Sequence, residues 1–316
     1  MQRRSAVLLM GPTGAGKSDI ALRLAEQLPL EIISVDSAQV FRGMDIGTAK
    51  PDLKQRARIA HHLIDIRDPA EAYSAGEFTR DARRAMEDIW RRGRQPLLVG
   101  GTMLYFPALS AGLARLPEAD PGVRAELDLQ AASVGWAALH RELAEVDPAA
   151  AARIHANDPQ RIQRALEVFR LTGETITHLQ QQRLSAFADV NILEFAIAPL
   201  ERAELHTTIE LRFKAMLEAG FVGEVRALYE RGDLSAEHPS MRAVGYRQLW
   251  RHLAGQCPLN EASEQAIAAT RQLAKRQLTW LRRRAGAQWL DPMRSDVARV
   301  IFDALSKGGL AARSTG

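Results

Sequence analysis

The sequence predicts an α/β protein, a parallel-sheet core interrupted by an all-helical subdomain. Three observations carry that expectation. Short, wholly apolar strands alternate with helical spacing through the first third of the chain. A long helical stretch with no convincing strand follows, and an apolar strand then returns near residue 191. The 316 residues, 46% hydrophobic and 25% charged, suffice for one sizeable core plus an insertion.

Residues 6–10 are a five-residue apolar strand running into a glycine loop, which reads as a strand and not a signal peptide. Residues 19–28 have helical spacing, with Ile20, Leu24 and Leu28 on one face. Residues 31–35 form a second strand, with Asp36 at its carboxyl end. Residues 74–92 read as an amphipathic helix on the stripe Phe78, Ala82, Ala85 and Ile89. Residues 96–100 are a third apolar strand, closed by Gly100, Gly101 and Thr102. Strands that alternate with helices imply a parallel sheet covered on both faces, with ligands beyond the carboxyl ends of its strands.

The texture changes after Pro117. Residues 121–183 show helical patterns, clearest at 134–143 and 158–171, where Asp158 is an N-cap and Pro159 the first helical residue. Residues 191–198 resume the sheet. Helices follow over 203–220, 222–232 and 264–284, with a short strand at 288–290 and a frayed tail over 307–316. The implied division is a core of residues 1–115 and 190–316 around a helical insertion of 116–189.

Composition removes several function classes. No segment reaches the ~20 apolar residues of a membrane span, and a cytoplasmic location is expected. The single cysteine, Cys257, allows neither an internal disulfide nor a cysteine zinc cluster. The net charge is +4, and only six of the 42 basic residues are lysine. Arginine forks suit phosphate and nucleic acid, although codon bias accounts for the excess equally well.

Gly11, Pro12, Thr13, Gly14, Ala15, Gly16, Lys17 and Ser18 match G-x-x-x-x-G-K-[ST] between a strand and a helix, the context that motif needs. The glycines let backbone N–H groups turn inward around an anion, and the following helix adds its positive end. Lys17 supplies a point charge, and Ser18 a hydroxyl that can ligate Mg²⁺. A second-strand acid of the kind that holds Mg²⁺ in motors and helicases is missing, because residues 96–99 end in glycine. A loop that binds a diphosphate leaving group without hydrolysing a nucleotide stays open. Asp36, at the ligand edge of the sheet, is a candidate to take a proton or help hold a metal, against a turn-capping role.

Longer segments then become recognisable. Residues 33–51 (ISVDSAQVFRGMDIGTAKP), 62–66 (HLIDI) with Asp68 and Pro69, 99–105 (VGGTMLY), 157–167 (NDPQRIQRALE), 243–248 (AVGYRQ) and 270–277 (TRQLAKRQ) resemble the bacterial tRNA dimethylallyltransferases, also called tRNA isopentenyltransferases. The matches run from the first strand to about Trp280. The resemblance implies transfer of a dimethylallyl group from its diphosphate to the exocyclic amine of an adenine beside the tRNA anticodon. It also implies a P-loop core whose helical insertion clasps the anticodon arm. On that reading residues 11–18 hold dimethylallyl diphosphate with Mg²⁺, and Asp36 is the general base. Lys17, Thr13 and Arg212 meet the leaving diphosphate. Asp36, Ser37, Ala38, Gln39, Thr102, Arg124, Gln160, Arg161, Ile162, Gln163, Arg164, Met241, Arg242, Ala243, Val244, Gly245 and Tyr246 resemble the family's tRNA contacts. Gly14 and Ala15 depart from the usual Ala-Ser, conservatively.

Blander readings stand beside these. Gln160, Arg161 and Arg164 could be a solvated helix face, as could the basic stripe Arg271, Lys275 and Arg282. His61 and His62 lack partners for a metal and suit a structural or RNA-contact role. Trp250, Trp280 and Trp289 are expected in the core, and Cys257 is incidental. No large apolar seam is visible, so a monomer is expected. Competing readings are a small-molecule kinase using ATP at the same loop and an RNA-binding protein with an inactive loop.

Overall fold

The computed structural model describes residues 4–110, 116–181 and 190–307. The chain divides into two compact units, Met1–Pro107 with Phe187–Gly316, and Ala108–Ala186.

The first unit is built on one parallel sheet. Its strands are β1 (Ser5–Met10), β2 (Leu30–Val35), β3 (His61–His62), β4 (Gln95–Gly100), β5 (Asn191–Ile197) and β6 (Gln288–Leu290), in the order β3-β2-β4-β1-β5-β6. Leu9 pairs with Val99 on one side and Phe195 on the other, so β1 is central. The chain leaves β1 toward β2 on the β4 side and later enters β5 on the opposite side. The loop after β1 therefore lies where the strand order reverses, the ligand crevice of such sheets.

Both faces of β1, β2 and β4 are covered, which is why these strands read as unbroken apolar runs. On one face Val7, Leu9, Ile32 and Leu97 pack with Ile20, Leu24 and Leu28, and with Val297, Ile301 and Leu305 of the helix Val297–Lys307. That helix occupies the start of the expected tail, and residues 308–316 lie outside those described. The stripe Phe78, Ala82, Ala85 and Ile89 of the helix Ala75–Arg91 is buried as its spacing predicts. A further cluster joins Phe41 and Met44 to Phe221, Met241, Tyr246 and Trp250.

The described residues of the second unit form helices joined by short loops, with no strand, around a core of Leu127, Leu139, Leu143, Ile162, Ala165 and Leu166. The helix expected over 134–143 is present as Trp136–Val146, starting two residues later after a break. Pro121–Val134 and Trp136–Val146 are separate helices, because Gly135 between them has φ 81° and ψ 154°, open to glycine alone. Asp158 caps Pro159–Thr172 as expected, accepting the Arg161 N–H.

The tryptophans differ from expectation. Trp250 is buried, but Trp280 and Trp289 are 41% and 42% exposed. In the last turns of Leu259–Leu281 the buried positions are Ala274, Gln277 and Leu281, which leaves Trp280 on the flank. Trp289 lies on the edge strand β6. Cys257 is buried in the cluster around Trp250. No helix among the described residues is long and apolar enough to cross a membrane.

Candidate active site

At the carboxyl end of the sheet lies a cavity of about 410 Å³, formed within the first unit. Thr13, Lys17, Ser18, Asp36, Gly101 and Arg212 all line it. The sequence spreads these residues widely along the chain, and the sheet gathers them.

The phosphate loop has the backbone its glycines predict. Gly14 and Gly16 take φ 83° and 75°, and Gly16 starts the helix Lys17–Gln27 with no side-chain cap. The first-turn N–H groups are left to an anion. The Lys17 ammonium donates to the Pro12 carbonyl at 2.7 Å. Burial, and next the Arg212 charge, push Lys17 down to about 7, against the opposing pull of Asp36. Arg212 is lowered by burial, with Asp36 and Asp19 opposing. Two cations are therefore held close together at a cost, which an incoming anion relieves.

Asp36 follows β2 in a tight turn. Its Oδ1 accepts the Ala38 N–H at 2.8 Å and the Gln39 N–H at 3.3 Å, and among the described residues Oδ2 has no hydrogen-bond partner. Thr102 braces the turn. Its Oγ1 accepts the Ser37 N–H at 3.0 Å, and its own N–H donates to Val35 O at 3.2 Å. The buried Tyr105 phenol is raised by burial and then by the Asp36 charge. Gln39 turns inward, accepting from Ser34 Oγ and donating to the Thr48 and Ala49 carbonyls.

Hard oxygen donors, the Ser18 hydroxyl and the Asp36 carboxylate, line the same cavity, a set that fits Mg²⁺ shared with substrate phosphates. No group of three or more His, Cys, Asp or Glu side chains suited to a metal occurs among the described residues. His62 Nε2 lies 2.8 Å from Glu31, and His61 Nδ1 2.7 Å from the Ile59 carbonyl, both structural contacts.

Some expected RNA-contact side chains have other work. Ile162, Met241 and Tyr246 have no exposure. The Tyr246 hydroxyl donates to Glu224 at 2.5 Å. Arg242 is exposed and pairs with Glu237, while Gly245 is buried and Ala243 and Val244 are at most half-exposed. In the helical unit Arg124 and Arg164 converge on Glu167, whose side chain is fully buried. Arg124 reaches both its oxygens, at 2.8 and 3.1 Å, and Arg164 one at 2.6 Å. Burial pushes Glu167 up, but the two guanidiniums outweigh it and hold the carboxyl below the usual carboxylate range. Arg161 and Gln160 are exposed, and Gln163 donates to Asp128 at 2.7 Å. On the long C-terminal helix Arg271 is engaged by Glu210 at 2.9 Å, while Lys275 and Arg282 are exposed.

Two lining residues escape a reading of the residues one by one. Thr208 stands one turn before Arg212 on the same helix face, a spacing that could have signalled it. Gln277 appears in the sequence only as one polar residue of a recognisable segment.

Residues 39–284 match the family model described as IPP transferase, and residues 4–67 the one described as isopentenyl transferase. The chain belongs to the IPP transferase family. Within it, the tRNA dimethylallyltransferase of Nitrosococcus oceani is 59% identical over 294 residues, covering 93% of this chain and 94% of that protein. The crystal structure of a tRNA isopentenylpyrophosphate transferase from Bacillus halodurans superposes with a TM-score of 0.71 at 37% identity, covering 96% of both chains. A eukaryotic dimethylallyltransferase described as acting on tRNA reaches a TM-score of 0.80 at 26% identity, over 96% of this chain and 77% of that one. The family is one of transferases, and its members share the parallel-sheet core seen here.

Proposed function

We propose that this enzyme transfers the dimethylallyl group of dimethylallyl diphosphate to N6 of the adenine 3′-adjacent to the tRNA anticodon. The observation that carries the reading is one cavity holding Thr13, Lys17 and Arg212 together with the Asp36 carboxylate, in a chain of this family. Lys17 and Arg212 neutralise the leaving diphosphate, with Thr13 beside it. The adenine leaves its stack to enter the cavity. As the N6–C1 bond forms and the C1–O bond breaks, Asp36 takes the N6 proton and diphosphate departs. Ser18 would hold Mg²⁺ here, and the ion would supply positive charge at the leaving group. The protein's part is to hold both reactants in line and keep water out, which agrees with the missing second-strand acid.

The helical unit supplies exposed Arg161 and Gln160, with Arg124 fixed by Glu167, to the anticodon arm. The protein acts in the cytoplasm as a monomer. Incubation with dimethylallyl diphosphate, Mg²⁺ and unmodified tRNA, followed by mass analysis of nucleosides, tests the reading. A dimethylallyl adenosine formed without ATP supports it, and transfer that requires ATP sinks it.

A further inference from the structure

Thr13 and Asp36 serve opposite ends of the displacement, one beside the leaving group and one beside the attacking amine. They sit on loops after different strands, β1 and β2, so their separation has to be fixed by something that reaches both. Gln277, near the end of the helix Leu259–Leu281, is 8% exposed and lines the cavity. Its Oε1 accepts the Thr13 N–H at 2.9 Å, and its Nε2 donates to the Gly101 carbonyl at 2.7 Å. The backbone is shaped around this amide, because a Cβ at Gly101 would fall 2.5 Å from Nε2. The next residue, Thr102, bonds to Val35 and Ser37, the two neighbours of Asp36. A continuous path thus runs from Thr13 through Gln277 and the peptide of Gly101 to the turn that holds Asp36.

We propose that Gln277 is a positioning residue of the transfer reaction, holding the Thr13 loop in register with the Asp36 turn; this rests on the prenyl-transfer reading above. A primary amide suits the place. It accepts on one side and donates on the other, and being neutral it does not compete with diphosphate for Lys17 and Arg212. In-line displacement tolerates little error, and a misplacement of about 1 Å costs on the order of 10²-fold in rate.

The test uses Gln277→Met and Gln277→Glu in the full chain, with single-turnover rates at saturating tRNA and dimethylallyl diphosphate. Gln277→Met should lose roughly 10- to 100-fold in rate while tRNA affinity holds. Combined with Thr13→Ala, the loss should fall well short of the product of the two single losses, since Gln277 acts through Thr13. The Gln277→Glu variant is compared with wild type across pH. Its side chain, when protonated, can accept from Thr13 and donate to Gly101, so its rate relative to wild type should climb as pH falls. If Gln277→Met does not fold, the pH profile of Gln277→Glu carries the test alone. A folded Gln277→Met variant with a normal rate, full additivity with Thr13→Ala, or a flat relative pH profile overturns the proposal. Wild-type protein that transfers no dimethylallyl group overturns the functional reading instead, and the two failures are distinct.

Discussion

On the proposed reading Lys17 and Asp36 carry the chemistry at the scale of single residues, and each makes a prediction. Adenine N6 is a poor nucleophile until a base takes its proton. Asp36→Asn keeps the shape and the two backbone hydrogen bonds to Oδ1 but cannot accept that proton. A single-turnover rate loss of about 10²–10⁴-fold is expected, with diphosphate binding nearly intact. A near-normal rate would remove Asp36 as base. Burial and the Arg212 charge push Lys17 down from an ordinary 10.5 to about 7. Between those values the unfolded chain binds the extra proton, so this group makes stability rise with pH through that window. Bound diphosphate favours the charged form. Binding at pH 8 should therefore take up about one proton, read by calorimetry in buffers of different ionisation enthalpy, and Lys17→Met should abolish the uptake.

Among the elements, the helix Pro159–Thr172 and the loop at residues 45–47 show which charged side chains the architecture uses and which it leaves exposed. Arg161 is exposed with only a neighbouring Asp158, whereas Arg164 satisfies the buried Glu167. Arg164→Ala should lower stability by about 1–3 kcal/mol, visible in thermal unfolding. Arg161→Ala should leave unfolding unchanged and instead reduce the salt slope of tRNA binding by roughly one. Equal effects of the two on stability would contradict the assignment. Glu224 is the counterpart in the core. Its carboxylate accepts the N–H groups of Asp45, Ile46 and Gly47 at 2.8, 2.6 and 3.1 Å, as well as the Tyr246 hydroxyl. That arrangement explains why Tyr246, in a segment that resembles a tRNA contact, is buried. Gly47 has no room beside it, since a Cβ would fall 2.2 Å from the Phe221 ring. Gly47→Ala should therefore unfold at markedly lower denaturant than wild type.

For the whole molecule, the expected behaviour is that of a metal-assisted, ATP-independent transferase. Chelation of Mg²⁺ should stop turnover and its return restore it, without ATP, and sedimentation should give the 34.9 kDa of one chain. The amino-acid sequence by itself determined the parallel sheet, because strands buried on both faces must be apolar throughout, and the helical stretch between its parts. It also marked the glycine loop as the candidate phosphate site, because glycines before a lysine and a serine at a helix start suit an anion, and it singled out Asp36 by its place after a strand. Its reach ended where a residue's role depends on a distant partner. Arg124 and Arg164 look like free cations until Glu167 is seen buried between them. Trp280 looks like core until the neighbouring Leu281 takes the inward position. Gln277 looks like any polar helix residue until the fold brings it against Thr13 and Gly101, 264 and 176 positions away. Local pattern fixes elements because their hydrogen bonds and periodicity are local. Only the tertiary structure decided which polar groups are buried together, because desolvation and pairing depend on what the rest of the chain packs around them.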